Sequence, residues 1–149
     1  MLTVTTTVTT TGLERYLAGL PAALQAGVNA EAVAVQNAVA QLERVDRGAL
    51  RQSVGYVSAD GSGTYLDHLS AAGELRDPSE GGDTFPPPPL PEAPGAVVAV
   101  GMTYGMPVNY GHVTTGGTHV AAQPFWEPGI STAAPQFTTH MRAALDRLL

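Results

Sequence analysis

The chain has no cysteine, no lysine and few charges of either sign. Without cysteine there can be no disulfide, no thiolate nucleophile and no Cys-ligated zinc. Seven arginines are its only permanent side-chain cations, set against thirteen acids for a net charge of −6. A free-standing nucleic-acid binder needs a basic footprint, and this balance does not provide one. Charged residues make up only 13% of the chain, so the surface is left to Thr, Ser, Gln, Asn, Gly and Pro. Such a surface is weakly protected against association, which favours work inside an assembly. Nor is there an apolar run near the ~20 residues of a membrane span. The opening "MLTVTTTVTTTG" has neither a basic n-region nor an apolar h-region, so no secretory signal is expected and the chain should fold in the cytosol.

What remains is 149 residues, 44% of them apolar, enough for one domain with a modest core. Residues 1–11 are β-branched almost throughout, with Leu2, Val4 and Val8 as a one-sided apolar set. They read as an extended arm or edge strand, closed by Gly12, that orders only against a neighbour. Leu13, Tyr16, Leu17 and Leu20 predict a short helix over 13–19. Pro21 then opens a long helix over 21–44. That helix carries Leu24, Val28, Val35, Val39 and Leu42 on one stripe, with Ala32 between, and Gln25, Asn29, Gln36 and Glu43 on the opposite side.

"VDRGALRQSV" follows, with Asp46 as N-cap of a short helix over 48–52. "SVGYVSA" (53–59) alternates as a strand and ends in the "DGSG" turn. Residues 60–95 read as a long protruding loop, its four consecutive prolines favouring a polyproline II rod. "AVVAVGMT" (96–103) is continuously apolar and predicts a buried strand pairing with 53–59. "NYGHVTTGGTHVAAQPFW" (109–126) reads as a crossing from the sheet to the last helix, with a loose "VTTGGT" loop. The last helix is expected over 132–148, with Ser131 as its cap and Pro135 in its first turn. The fold class is therefore α+β: a long N-terminal and a C-terminal helix on a small, mainly antiparallel sheet, forming one domain over 12–149.

The chemistry-bearing patterns are sparse. His112 and His119, with Glu127, form the best metal candidate, but their spacings do not match HExxH and the Gly/Thr linker is a poor scaffold. No GxSxG elbow and no Lys-bearing phosphate loop is present. No constellation meets the requirements of an active site, so neither catalysis nor a cofactor is expected. Pro124 and Pro128 bracket Phe125 and Trp126. That holds Phe125 for the core and Trp126 for the core edge or a subunit contact. His112 and His119 are expected to face solvent or a neighbouring subunit, and Phe85 and Pro87 to offer contacts on the polyproline stretch.

Three motifs, in order, carry a resemblance. Val45, Asp46, Gly48, Ala49, Leu50, Arg51 and Ser53 match a "VDTGALRRSI"-like turn into a first strand. Tyr104, Val108, Tyr110 and Gly111 match a "Y-A-x-x-V-E-F/Y-G"-like segment. Ala122, Gln123, Pro124, Phe125 and Pro128 match an "A-R/Q-P-F-x-x-P" box before a final helix. Together they resemble the neck, or tail-completion, proteins that join head to tail in long-tailed double-stranded DNA bacteriophages. Arg47, Asn109 and His112 depart from the pattern, standing where Thr, an acid and a small residue are usual.

The resemblance implies a structural virion protein, not an enzyme. Its copies would form a ring, six by expectation, at the head–tail junction, contacting a neighbouring connector and the tail tube or its terminator. DNA would pass through without sequence-specific binding, and no membrane is involved. A different class of reading is a soluble module that docks a partner through polyproline residues 84–94. A third is a metal-dependent enzyme built on His112, His119 and Glu127.

Overall fold

A single helix, α1 (Thr11–Leu42), is the spine of the molecule. In this computed structural model the described residues are 11–42, 49–65 and 85–149. The arm 1–10, Asp46, Gly48 and the insert 66–84 lie outside them. The expected break at residue 20 does not occur, and α1 runs through Pro21. Proline there removes one intrahelical donor. An Ala-rich sequence and the C-terminal helices packed along α1 keep the helix going.

A short turn of helix, α2 (Ala49–Gln52), leads into β1 (Val54–Ser58). β1 pairs antiparallel with β2 (Ala96–Val100), Val54 opposite Val100 and Ser58 opposite Ala96. The expected pairing of these two segments is present, although the second strand stops at Val100 rather than residue 103. The crossing region is more ordered than its sequence suggests. It holds α3 (Gly105–Tyr110) and a two-residue ribbon of β3 (His112–Val113) and β4 (His119–Val120). The "VTTGGT" segment is the turn of that ribbon, with Thr114 N–H donating to Thr118 O at 2.9 Å and Gly117 in the left-handed region.

The last helix is not one piece over 132–148. It begins at Trp126 as α4 (Trp126–Ala133), passes through a 3-10 turn at Ala134–Gln136, and continues as α5 (Phe137–Leu145). A closing 3-10 turn covers Asp146–Leu148. Ser131 therefore sits inside α4, and Pro135 makes the turn between two helices rather than opening one. Both helices pack on α1, and His140 Nδ1 on α5 meets Glu31 Oε2 on α1 at 2.9 Å.

The core gathers Val39 from α1, Leu50 from α2, Val54 from β1, Met102 and Phe125. Val35, Val98, Val100, Tyr104, Val108 and Trp126 pack around it. Leu42, expected on the apolar stripe, is exposed. The polar side of α1 is not its solvent face. Gln25 is buried, and its amide exchanges two hydrogen bonds with the Gly95 backbone, at 3.0 and 3.1 Å, while also donating to Ser58 Oγ. One turn on, Asn29 Nδ2 donates to Asp60 Oδ2 at 2.9 Å. Gln36 Nε2 donates to Val54 O at 3.0 Å, and its Oε1 accepts from Thr64 Oγ1. A polar stripe at helical spacing thus clamps both ends of β1.

Candidate functional site

The second and third motifs meet in space. Asn109, near the end of α3, is 3% exposed, and its Oδ1 accepts from Phe125 N–H at 2.9 Å and Trp126 N–H at 3.0 Å. These N–H groups open α4 and have no partner within the helix. Phe125, at the cap position, has no side-chain acceptor to offer, so Asn109 caps the helix from sixteen residues upstream. Gln123 N–H donates to Val108 O at 2.9 Å, adding a backbone tie between the same two segments.

Glu127 in the first turn of α4 closes the junction from outside. Tyr110 Oη donates to Glu127 Oε1 at 2.6 Å, and Asn109 Nδ2 donates to Oε2 at 3.3 Å. The Tyr110 hydroxyl is the main reason the Glu127 carboxyl is held below its ordinary range. The same hydrogen bond pushes the Tyr110 phenol up. Gly111, with φ of 76°, ends α3 in the left-handed region, which a side chain would disfavour.

The other expected residues fall as follows. Leu50 and Phe125 are buried, Tyr104 and Trp126 half-buried at the core edge, and Tyr110, Pro124 and Pro128 exposed. His112 stands opposite Val120 and His119 opposite Val113. Directly paired residues share a face and successive ones alternate, so the two histidines point to opposite sides of the ribbon. They cannot chelate one ion together, and Glu127 is engaged by Tyr110. Among the described residues no group of three or more His, Asp or Glu is placed to hold a metal ion. Among them, too, no helix is long and apolar enough to cross a membrane.

A groove of about 300 Å3 adjoins this junction. Val98, Ala99 and Val100 of β2 line it together with Met106, Tyr110 and Trp126. Phe85, close to half exposed, also lines it, and its N–H donates to Gly101 O at 2.7 Å. Pro87 is exposed beyond it. The Asn109 cap and the groove both escaped the sequence reading. A helix cap is sought at the adjoining residue, and nothing in "MPVNYG" marks its asparagine for a helix that starts at Trp126.

Compared with known protein families, curated proteins and solved structures, the chain matches none.

Proposed function

We propose that this chain is a structural protein of the head–tail junction of a long-tailed double-stranded DNA bacteriophage. It would act as a tail-completion or neck ring joining the capsid connector to the tail tube. The observation that carries the reading is convergence. Leu50 from the first motif, Tyr104 and Val108 from the second, and Phe125 from the third share one core. Three short motifs spread over the chain therefore act as one structural unit, which is what a fold signature requires.

The composition supports the same reading. An acidic, lysine-free protein lets DNA pass through a ring without sticking, because its field repels phosphate. Copies of the chain are the first partner, in a ring of six, with the connector and the tube or its terminator as the others. The mature location is the virion, with synthesis in the host cytoplasm, and the reading assigns no reaction and no cofactor.

The test is deletion of the gene from its phage. Filled heads and free tails that fail to join are expected by electron microscopy, with infectivity restored by supplying the protein. Normal infectious particles from the deletion would overturn the reading.

A further inference from the structure

The groove beside the α3–α4 junction gathers many of the chain's rings. The sequence has three Phe, one Trp and five Tyr, and Phe85, Tyr110, Phe125 and the single Trp126 line this one concavity. Val98 and Met106 belong to its aliphatic lining. It is reachable from solvent, with Met106 61% and Tyr110 57% exposed. The proline stretch does not fill it. Phe85 N–H donates to Gly101 O just past β2, and Gly95 leads into the start of β2, so residues 86–94 return alongside that strand. Of residues 85–94 only Phe85 lines the groove. A volume of about 300 Å3 takes a few side chains rather than a whole element.

One carboxylate is fixed at this groove. Glu127 Oε1 accepts from the Tyr110 hydroxyl at 2.6 Å and Oε2 from Asn109 Nδ2 at 3.3 Å. Both donors line the groove, as does Trp126, the residue before Glu127. The hydrogen bond from Tyr110 is the main reason the Glu127 carboxyl is held below its ordinary range, so it stays ionised. Among the described residues it has no cationic partner. A positioned anion beside a tryptophan and apolar surface is complementary to a guanidinium with an apolar neighbour. Guanidinium groups both pair with carboxylates and stack on aromatic faces.

We propose that the groove docks a short segment of a basic partner protein in which an arginine stands beside an apolar residue. The apolar side chain seats against Val98 and Met106, and the guanidinium meets the Glu127 carboxylate and the ring of Trp126. Charge selects this occupant. A second copy carries the same net charge of −6 and is repelled as a whole, whereas a basic partner is drawn to a fixed carboxylate. A proline stretch from a second copy would also bring Glu92 with it. The inference does not rest on the head–tail reading, because the groove and its carboxylate are the same whether or not copies form a ring.

The probe is the peptide N-acetyl-Leu-Arg-Leu-amide, titrated into the full chain and read by the fluorescence of Trp126, the single tryptophan. A saturable change is expected. The same peptide with citrulline for arginine keeps the shape and removes the charge, and it should bind about five- to tenfold more weakly. Glu127→Gln keeps an acceptor for Tyr110 and should bring the two peptides to within about twofold of each other. Met106→Arg, at an exposed side chain, sets a like charge in the groove and should weaken the arginine peptide about tenfold or more. Circular dichroism checks that both variants are folded. No saturable change, or equal binding of the two peptides by the unaltered chain, overturns the proposal. So does a full preference for arginine in Glu127→Gln, or unaltered binding by Met106→Arg. Sedimentation with and without the peptide tests the other occupant. Self-association that the peptide dissolves gives the groove to a second copy and overturns the partner. A chain that is monomeric throughout, or associated and unaffected by the peptide, leaves the groove to the partner.

Discussion

β1 and β2 are partners in one ladder and live in different surroundings. All five residues of β1 are buried, whereas all five of β2 are half-buried. β1 has α1 over one face, Tyr65 over Gly55 on the other, and its outer edge tied down by Gln36 and residues 62–64. β2 shares the α1 face, borders the groove through Val98, Ala99 and Val100, and has Phe85 tied to Gly101 just past its end. Yet the sequence of β2, "AVVAV", is the more apolar of the two, while β1 contains Gly, Tyr and Ser. Val98 and Val100 place that apolar surface on the core, against which both pack, while the groove borders them on the other side. The difference between the strands is how much surrounds each, and so how much a substitution on it should cost.

The sharpest way to break the comparison uses directly opposed residues, Gly55 and Ala99. A Cβ on Gly55 would lie 2.6 Å from the Tyr65 Cα and 2.9 Å from its backbone nitrogen. Backbone cannot rotate aside, so Gly55→Ala is expected to cost about 3 kcal/mol in urea unfolding. Ala99→Val, which adds more atoms, should cost under about 1 kcal/mol because its site borders the groove. Equal losses would remove the distinction between the strands.

Gln25→Leu comes next. The change keeps bulk but leaves the Gly95 N–H without its acceptor and takes one donor each from Ser58 Oγ and Gly95 O, at a buried site. Unmet buried polar groups make a loss of about 2 kcal/mol the expectation, again by urea unfolding. Asn109→Ala should cost about 1 kcal/mol by uncapping α4. Asn109→Asp keeps the acceptor but turns the donor facing Glu127 into a second carboxylate, so the comparison is made with Glu127→Gln in place, where aspartate should lose less than alanine. If alanine and aspartate behaved alike in that background, the acceptor role of Oδ1 would be wrong.

These residues also show what could be read in advance. The α+β class and the pairing of 53–59 with the apolar run followed from periodicity and turn residues. The burial of Gln25 and the clamp at Gln36 did not, although both were visible as a stripe with Asn29. Helical spacing tells that residues share a face and not whether that face meets water or a strand. A two-stranded sheet has few neighbours of its own, so side-chain amides take the place of a third strand at β1. The helix through Pro21 was misread because a local breaker was weighed without the packing of α5 and the closing 3-10 turn. The ribbon after Gly111 was missed because its strands are only two residues each.

The smallest expected effect lies in the turn that leaves β1. Asp60 Oδ1 accepts from Ser62 Oγ at 2.6 Å and Ser62 N–H at 2.9 Å, and Oδ2 accepts from Asn29. With the Ser62 hydroxyl as the main cause, the Asp60 carboxyl is lowered from 3.8 to about 2. A folded value below the unfolded one means the charged form is favoured by folding. The stabilisation is therefore complete above the unfolded value of 3.8 and lost as pH falls toward about 2. The carboxylate is fully exposed, so solvent screens it and the effect is modest. Thermal unfolding followed through that interval should show a melting temperature that falls with pH, and Asp60→Asn should flatten part of the fall. Salt should leave most of the slope in place, because short hydrogen bonds rather than distant charges produce it. An unchanged slope in Asp60→Asn would mean that the turn closing β1 is held by its backbone bonds alone, and the tie from Asn29 to Asp60 would lose its part in finishing that edge.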